Sequence, residues 1–191
     1  MYKRTYVLCR YVPTPVYIAR DIEKQSWQFM YYVLFCLLYP VVPCKHKVFF
    51  WLVLKDRIST RELLRRKNMN LEDYSCVLCN SRMEETLMHL LLQCPFATQC
   101  WAWINVQVPN DLEAFQVLQS FRNQLSVSFF MEIIILMCWV IWKARNDLIF
   151  RQINPLILNS KEDFRREIGL LKYRVKHSIS NSLDQWIANL T

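Results

Sequence analysis

A single glycine, Gly169, occurs in a chain of 191 residues, and this scarcity limits the fold more than any other feature. Hairpins, tight turns and phosphate-cradling loops need residues at positive φ, which glycine supplies without steric cost. Rossmann and P-loop nucleotide sites are built on several glycines and are excluded. The expected fold class is therefore mainly α, a multi-helix domain with no substantial sheet. Hydrophobic residues make up 53% of the chain, enough to bury a sizeable core and too many for a disordered segment.

Apolar spacing and breakers predict six or seven helices. Lys45–Lys55 reads as one, and Ser59 with Glu62 forms a capping box that opens the next. Pro95 suits a first helical position, and the stripe Phe96, Cys100, Trp101, Ile104 that follows makes Cys100 a core residue. Leu112, Phe115 and Leu118 suggest a further helix. Phe129 to Phe150 is strongly apolar, but Glu132 and the group Lys143, Arg145, Asp147 leave only a short uncharged run, so it reads as a buried helix with a polar exit. Ser160 and Asp163 are expected to cap a last long helix carrying Phe164, Ile168, Leu171 and Val175.

Gln25 to Cys44 runs twenty residues without a charge, between Lys24 and Lys45. That length can cross a bilayer, but Pro40 and Pro43 shorten the helical part to about fourteen residues, a length commoner for a core helix. A core helix is the expectation, and membrane association through residues 25–44 is the alternative. The eight cysteines are irregularly spaced and the first twenty residues are interrupted by Arg and Pro, which points to an intracellular, reducing setting in nucleus or cytoplasm.

Net charge is +8. Lys45, Lys47, Lys55, Arg57, Arg61, Arg65, Arg66 and Lys67 fall in one short stretch, opposed only by Asp56 and Glu62. Such a concentration attracts polyanions through counterion release, so these eight residues are the candidate contacts to an RNA or DNA backbone. The alternative is a solvated helical face.

One stretch carries metal chemistry. CVLCNSRMEETLMHLLLQC, residues 76 to 94, sets Cys76, Cys79, His89 and Cys94 in a C-x2-C-x9-H-x4-C pattern. Two thiolates separated by two residues reach one ion when the chain between them turns tightly, and Asn80 is the expected residue at positive φ. Ser81 and Glu84 form a second capping box, predicting a helix from about Arg82 that bears His89. Residues five apart on an α-helix diverge by about 140°, so His89 and Cys94 can share an ion only if Pro95 takes Cys94 out of the helix. Three thiolates and an imidazole fill the tetrahedron of a Zn²⁺ ion and leave no open position, which makes the zinc structural. Glu85 is a candidate acceptor for the second N–H of His89, and the alternative is a charge that favours the helix N-terminus. Catalytic zinc of the nucleobase-deaminase kind requires H-x-E before P-C-x-x-C, and the order here is reversed.

These residues resemble the zinc-binding domain that follows reverse transcriptase in plant LINE-type, non-LTR retrotransposons. The resemblance rests on VPCKHKVFFWLVLKDRISTRELLRRKNM (42 to 69), on CVLCNSRMEETLMHLLLQCPFATQCW (76 to 101), and more loosely on WVIWKARNDLIF (139 to 150). It is poor before residue 40. The organisation it implies is a divergent segment at 1–40, a zinc-binding domain at 41–105 and a helical region at 106–191. It also implies Cys76, Cys79, His89 and Cys94 as zinc ligands, and an accessory nucleic-acid-binding role within a retroelement polyprotein. No Tyr-x-Asp-Asp polymerase signature, RNase H carboxylate set or endonuclease motif is present, so the expectation is a non-enzyme. The competing expectation is a degenerate or domesticated helical interaction protein with a helical or polyprotein partner, membrane-associated through residues 25–44.

Overall fold

A long apolar helix organises the molecule. The computed structural model describes residues 41–109 and 114–190, and among them are seven α-helices, one π-helical turn and no strand longer than an isolated bridge. In chain order these are α1 (Cys44–Leu54), α2 (Arg61–Arg66), the π turn (His89–Gln93), α3 (Pro95–Trp103), α4 (Ala114–Leu125), α5 (Phe130–Arg151), α6 (Ile157–Leu171) and α7 (His177–Ala188). The mainly α fold class expected from glycine scarcity is what the described residues adopt.

Helix α5 is buried on every side between Ile133 and Cys138, as a helix apolar all round must be. The helices α1, α3, α4, α6 and the π turn all pack on it. One hydrophobic cluster runs from Val42 to Leu190. Trp101 sits fully buried inside it, its ring 4.7 Å from that of Phe121 and its Nε1 donating to the Leu91 carbonyl at 2.8 Å. No single helix among the described residues is long and apolar enough to cross a membrane. The uncharged stretch lies outside the described residues up to position 40, as does Leu112.

Helix α1 is held against α5 and α6 by a mixed contact. Lys45 Nζ lies 3.0 Å from Glu167 Oε1, and buried His46 approaches Glu167 Oε2 at 3.5 Å while its ring packs edge-on to Trp139 at 5.0 Å. Burial pulls the His46 imidazole down to about 4, and the Glu167 carboxylate only partly opposes this.

Several helix starts differ from their expected positions, each for a local reason. Helix α2 is capped by Thr60, not Ser59: the buried Thr60 hydroxyl accepts from Leu63 N at 3.2 Å, and Glu62 turns instead to Arg66 at 2.7 Å. Helix α6 begins at Ile157, after Pro155 and the N-cap residue Leu156, so Ser160 is a buried residue within it and not a cap. Phe164, Ile168 and Leu171 are its buried stripe as expected, but the helix stops at Leu171 and Val175 belongs to a turn before α7. The stripe Phe96, Cys100, Trp101, Ile104 is buried throughout.

Candidate metal centre

The centre is built from a bridged turn, a π turn and a helix N-terminus. Cys76 N donates to the Met83 carbonyl at 2.8 Å and Glu85 N to that of Tyr74 at 2.9 Å, with Ser75 and Glu84 forming an antiparallel bridge. The loop between these two short segments carries Cys79. Its residue at positive φ is Arg82 (φ 53), not Asn80. The bridge occupies Met83 to Glu85 with extended pairing, so the capping box expected at Ser81 and Glu84 does not form. The helical turn begins instead after Thr86, whose hydroxyl accepts from His89 N at 3.0 Å.

From His89 to Gln93 the chain winds as a π-helix, and Cys94 N donates to the His89 carbonyl at 2.6 Å. An i→i+5 bond places residues five apart on the same side of the turn, which removes most of the divergence expected of an α-helix. Cys94 itself is extended (φ −59, ψ 134) before Pro95, as a residue preceding proline prefers. The His-x4-Cys spacing is thus reconciled by both devices, of which the sequence suggested only the second.

These elements bring the four side chains together. The ligand atoms of Cys76, Cys79, His89 and Cys94 all lie within 4.8 Å of one another. Cys76 Sγ is 3.8 Å from Cys94 Sγ, and Cys79 Sγ is 3.3 Å from His89 Nε2. Thiolates and an imidazole bound tetrahedrally to one Zn²⁺ are separated by about 3.5–3.8 Å, given bond lengths of about 2.3 and 2.1 Å. The donor set fits zinc, and the four atoms lie close enough for one ion to draw them together. Cys76, His89 and Cys94 are buried, while Cys79 is half-exposed and touches the Ser81 hydroxyl at 2.9 Å.

The local field prepares a thiolate. Cys94 is the residue at the N-terminus of α3. The Cys76 thiol donating to it, with the Phe96 and Ala97 backbone N–H groups aimed at its sulfur, lowers it to about 5. The same hydrogen bond and burial push the Cys76 thiol up. The two sulfurs, 3.8 Å apart, thus favour a proton held between them, and a bound cation would relieve this by holding both as thiolates. Zinc held by these four donors would fill its tetrahedron and would supply a cross-link between the bridged turn, the π turn and α3. Cys100, whose thiol burial pushes up to about 12, stands outside the cluster.

Glu85 has another role than the one expected. Its carboxylate is fully buried and faces Arg145, from α5, with Nη2 2.7 Å and Nε 3.2 Å from Oε1. It also accepts from Arg61 N at 3.0 Å. Arg145 further donates to the Ser59 carbonyl at 3.2 Å and lies 4.8 Å from the Trp142 ring. Glu85 is thus committed to Arg145, whose importance sequence reasoning missed. The sequence placed Arg145 at the polar exit of α5 beside Lys143 and Asp147, and nothing along the chain marked it as the buried one of the three.

The eight basic residues fare unevenly. Lys45 binds Glu167 (3.0 Å), Arg61 binds Asp73 (3.3 Å), Arg65 binds Glu84 (2.6 Å) and Arg66 binds Asp56 (2.5 Å). Lys47 is buried, and Lys55, Arg57 and Lys67 are exposed. Acidic residues 72, 73, 84 and 85 follow the basic stretch in sequence, and the fold brings three of them back onto it.

Residues 17–101 match the model of a family described as zinc-binding in reverse transcriptase. All four donors fall inside that range. The match begins at residue 17, well before position 40 where the resemblance was expected to fade. No curated protein and no solved structure matches the chain. The matched segment is supported as a reverse transcriptase zinc-binding domain, with Cys76, Cys79, His89 and Cys94 as its candidate single zinc site.

Proposed function

We propose that this chain is a non-catalytic zinc-binding module from a plant LINE-type retrotransposon reverse transcriptase polyprotein, and that it serves as an accessory contact to nucleic acid. The observation that carries the reading is the convergence of three sulfurs and one imidazole within 4.8 Å inside a segment matching a zinc-binding family. A closed donor set supports a structural metal rather than a catalytic one, and the matched family is a zinc-binding domain, not the polymerase domain. The net charge of +8 supports a polyanionic partner.

The test is metal analysis of the purified chain combined with nucleic-acid retention before and after chelation. One zinc per chain, and retention that falls both with chelation and with rising salt, are expected. Purified protein without stoichiometric metal, or retention indifferent to salt, would falsify the reading.

A second reading, a helical interaction protein, draws on a run of exposed apolar side chains at the α5–α6 connection. Phe150 is 74% exposed, Ile153 41%, Leu156 57% and Leu158 62%. Exposed clusters of this kind mark partner surfaces. Light scattering of the wild type against a Phe150→Ser, Leu158→Ser variant separates the two readings, since only the interaction reading expects the variant to lose an assembly.

A further inference from the structure

Four of the eight basic residues at 45–67, Lys45, Arg61, Arg65 and Arg66, are paired with carboxylates, and Lys55, Arg57 and Lys67 are exposed. The turn between α6 and α7 sets its cations beside an exposed aromatic ring. Lys172-Tyr173-Arg174-Val175-Lys176-His177 holds three full positive charges and no acid. The Leu171 carbonyl accepts from Arg174 N at 2.8 Å and Val175 N at 3.0 Å, and Val175 packs against the core. The backbone is pinned there, and the other five side chains are exposed, Tyr173 by 83%. Lys172 binds Asp184 at 2.8 Å, whereas no carboxylate of the described residues pairs with Arg174 or Lys176.

An aromatic ring this exposed contributes little to the core, and its setting among cations is that of a base-stacking platform. Single-stranded nucleic acids are bound by cations that hold phosphates and by aromatic side chains on which unpaired bases stack. A duplex keeps its base faces inside the helix and offers such a ring nothing to cover.

We propose that the α6–α7 turn is a contact for single-stranded nucleic acid, with Tyr173 stacking on an unpaired base while Arg174 and Lys176 hold the flanking phosphates. This rests on the nucleic-acid reading above and gives it a location and a strand preference.

The test is fluorescence anisotropy of the full, zinc-loaded chain with one labelled oligonucleotide, single-stranded or as duplex, across a salt series. Tyr173→Ala is expected to weaken single-strand binding about tenfold, the value of one lost stack, and to leave duplex binding unchanged. Tyr173→Trp is expected to restore it. Arg174→Glu with Lys176→Glu should weaken binding to every strand and flatten the salt slope by about 1–2. All three side chains are exposed, so folding is not at stake. Binding that survives these changes but is lost with Arg57→Glu and Lys67→Glu overturns this inference alone. A chain that binds no strand at all overturns the broader reading with it. Binding to vesicles of phosphatidylserine and phosphatidylcholine in place of the oligonucleotide assigns the turn to a membrane surface and overturns it as well.

Discussion

Arg145 Nη2 stands 2.7 Å from Glu85 Oε1, joining the C-terminal part of α5, the longest helix among the described residues, to the turn that leads into the metal cluster, 60 residues away. Neither group meets solvent: Glu85 is 0% and Arg145 3% exposed. The carboxylate also receives Arg61 N and the guanidinium also reaches the Ser59 carbonyl, so the pair fixes the start of α2, the approach to His89 and helix α5 relative to one another.

Breaking that pair from one side leaves a buried charge alone. Arg145→Met or Glu85→Leu is expected to cost about 3–5 kcal/mol, and the two changes together less than the sum of the two. Urea unfolding of the four proteins in a double-mutant cycle measures this. Strictly additive losses would show that the two groups do not stabilise each other.

Removing the metal should act locally first. Structural zinc in finger peptides is worth about 10–16 kcal/mol, comparable with a whole domain's stability of about 5–15 kcal/mol. Chelation is therefore expected to release residues 70–105 before the α5–α6 core, and Cys76→Ser or Cys94→Ser should abolish stoichiometric zinc. Hydrogen exchange resolved by segment, with metal analysis alongside, checks both. Uniform loss of protection across the chain would mean that the centre and core melt as one.

Trp101 supports the π turn through its Nε1–H bond to the Leu91 carbonyl at 2.8 Å. Trp101→Phe keeps most of the apolar volume but leaves that buried carbonyl without its donor, at a cost of about 1–3 kcal/mol. Because Leu91 lies between His89 and Cys94, zinc affinity should fall in the same variant. Competition with a colorimetric chelator reads the affinity, and a change in stability with unaltered zinc binding would separate the turn from the site.

His46 gives the fold an acid limb. Its imidazole is lowered from 6.5 to about 4 by burial, so between those values the unfolded chain binds more protons than the folded one. Stability is then fully present above pH about 6.5 and is lost as pH falls towards about 4, by roughly 3 kcal/mol. His46→Gln should remove this part of the pH dependence. The comparison is the difference between wild type and variant at each pH, in which the acid sensitivity of the zinc ligands cancels. Parallel curves for the two proteins would sink the assignment.

Much of this was readable from residue order alone, for physical reasons that also explain the rest. The four ligands announced themselves because thiols and an imidazole at metal spacing have few other uses together, and helix α5 because six consecutive buried positions leave an apolar run on every face. The bridge at Ser75 and Glu84 was hidden, since the Ser81–Glu84 pattern equally suits a capping box, and only the competing hydrogen bonds of Cys76 and Glu85 decide between them. The π turn was hidden because one extra residue per turn has no sidechain signature; the five-residue step from His89 to Cys94 required some departure from α geometry without saying which. The pairing of Arg61, Arg65 and Arg66 with Asp73, Glu84 and Asp56 depends on where the chain doubles back, which charge counting along a stretch cannot see.

Of the four donor atoms, the Cys79 sulfur alone borders the outside. Metal entering or leaving, and any alkylating or oxidising reagent, therefore meets the centre through the short loop that carries it, while Cys76, His89 and Cys94 stay sheltered behind.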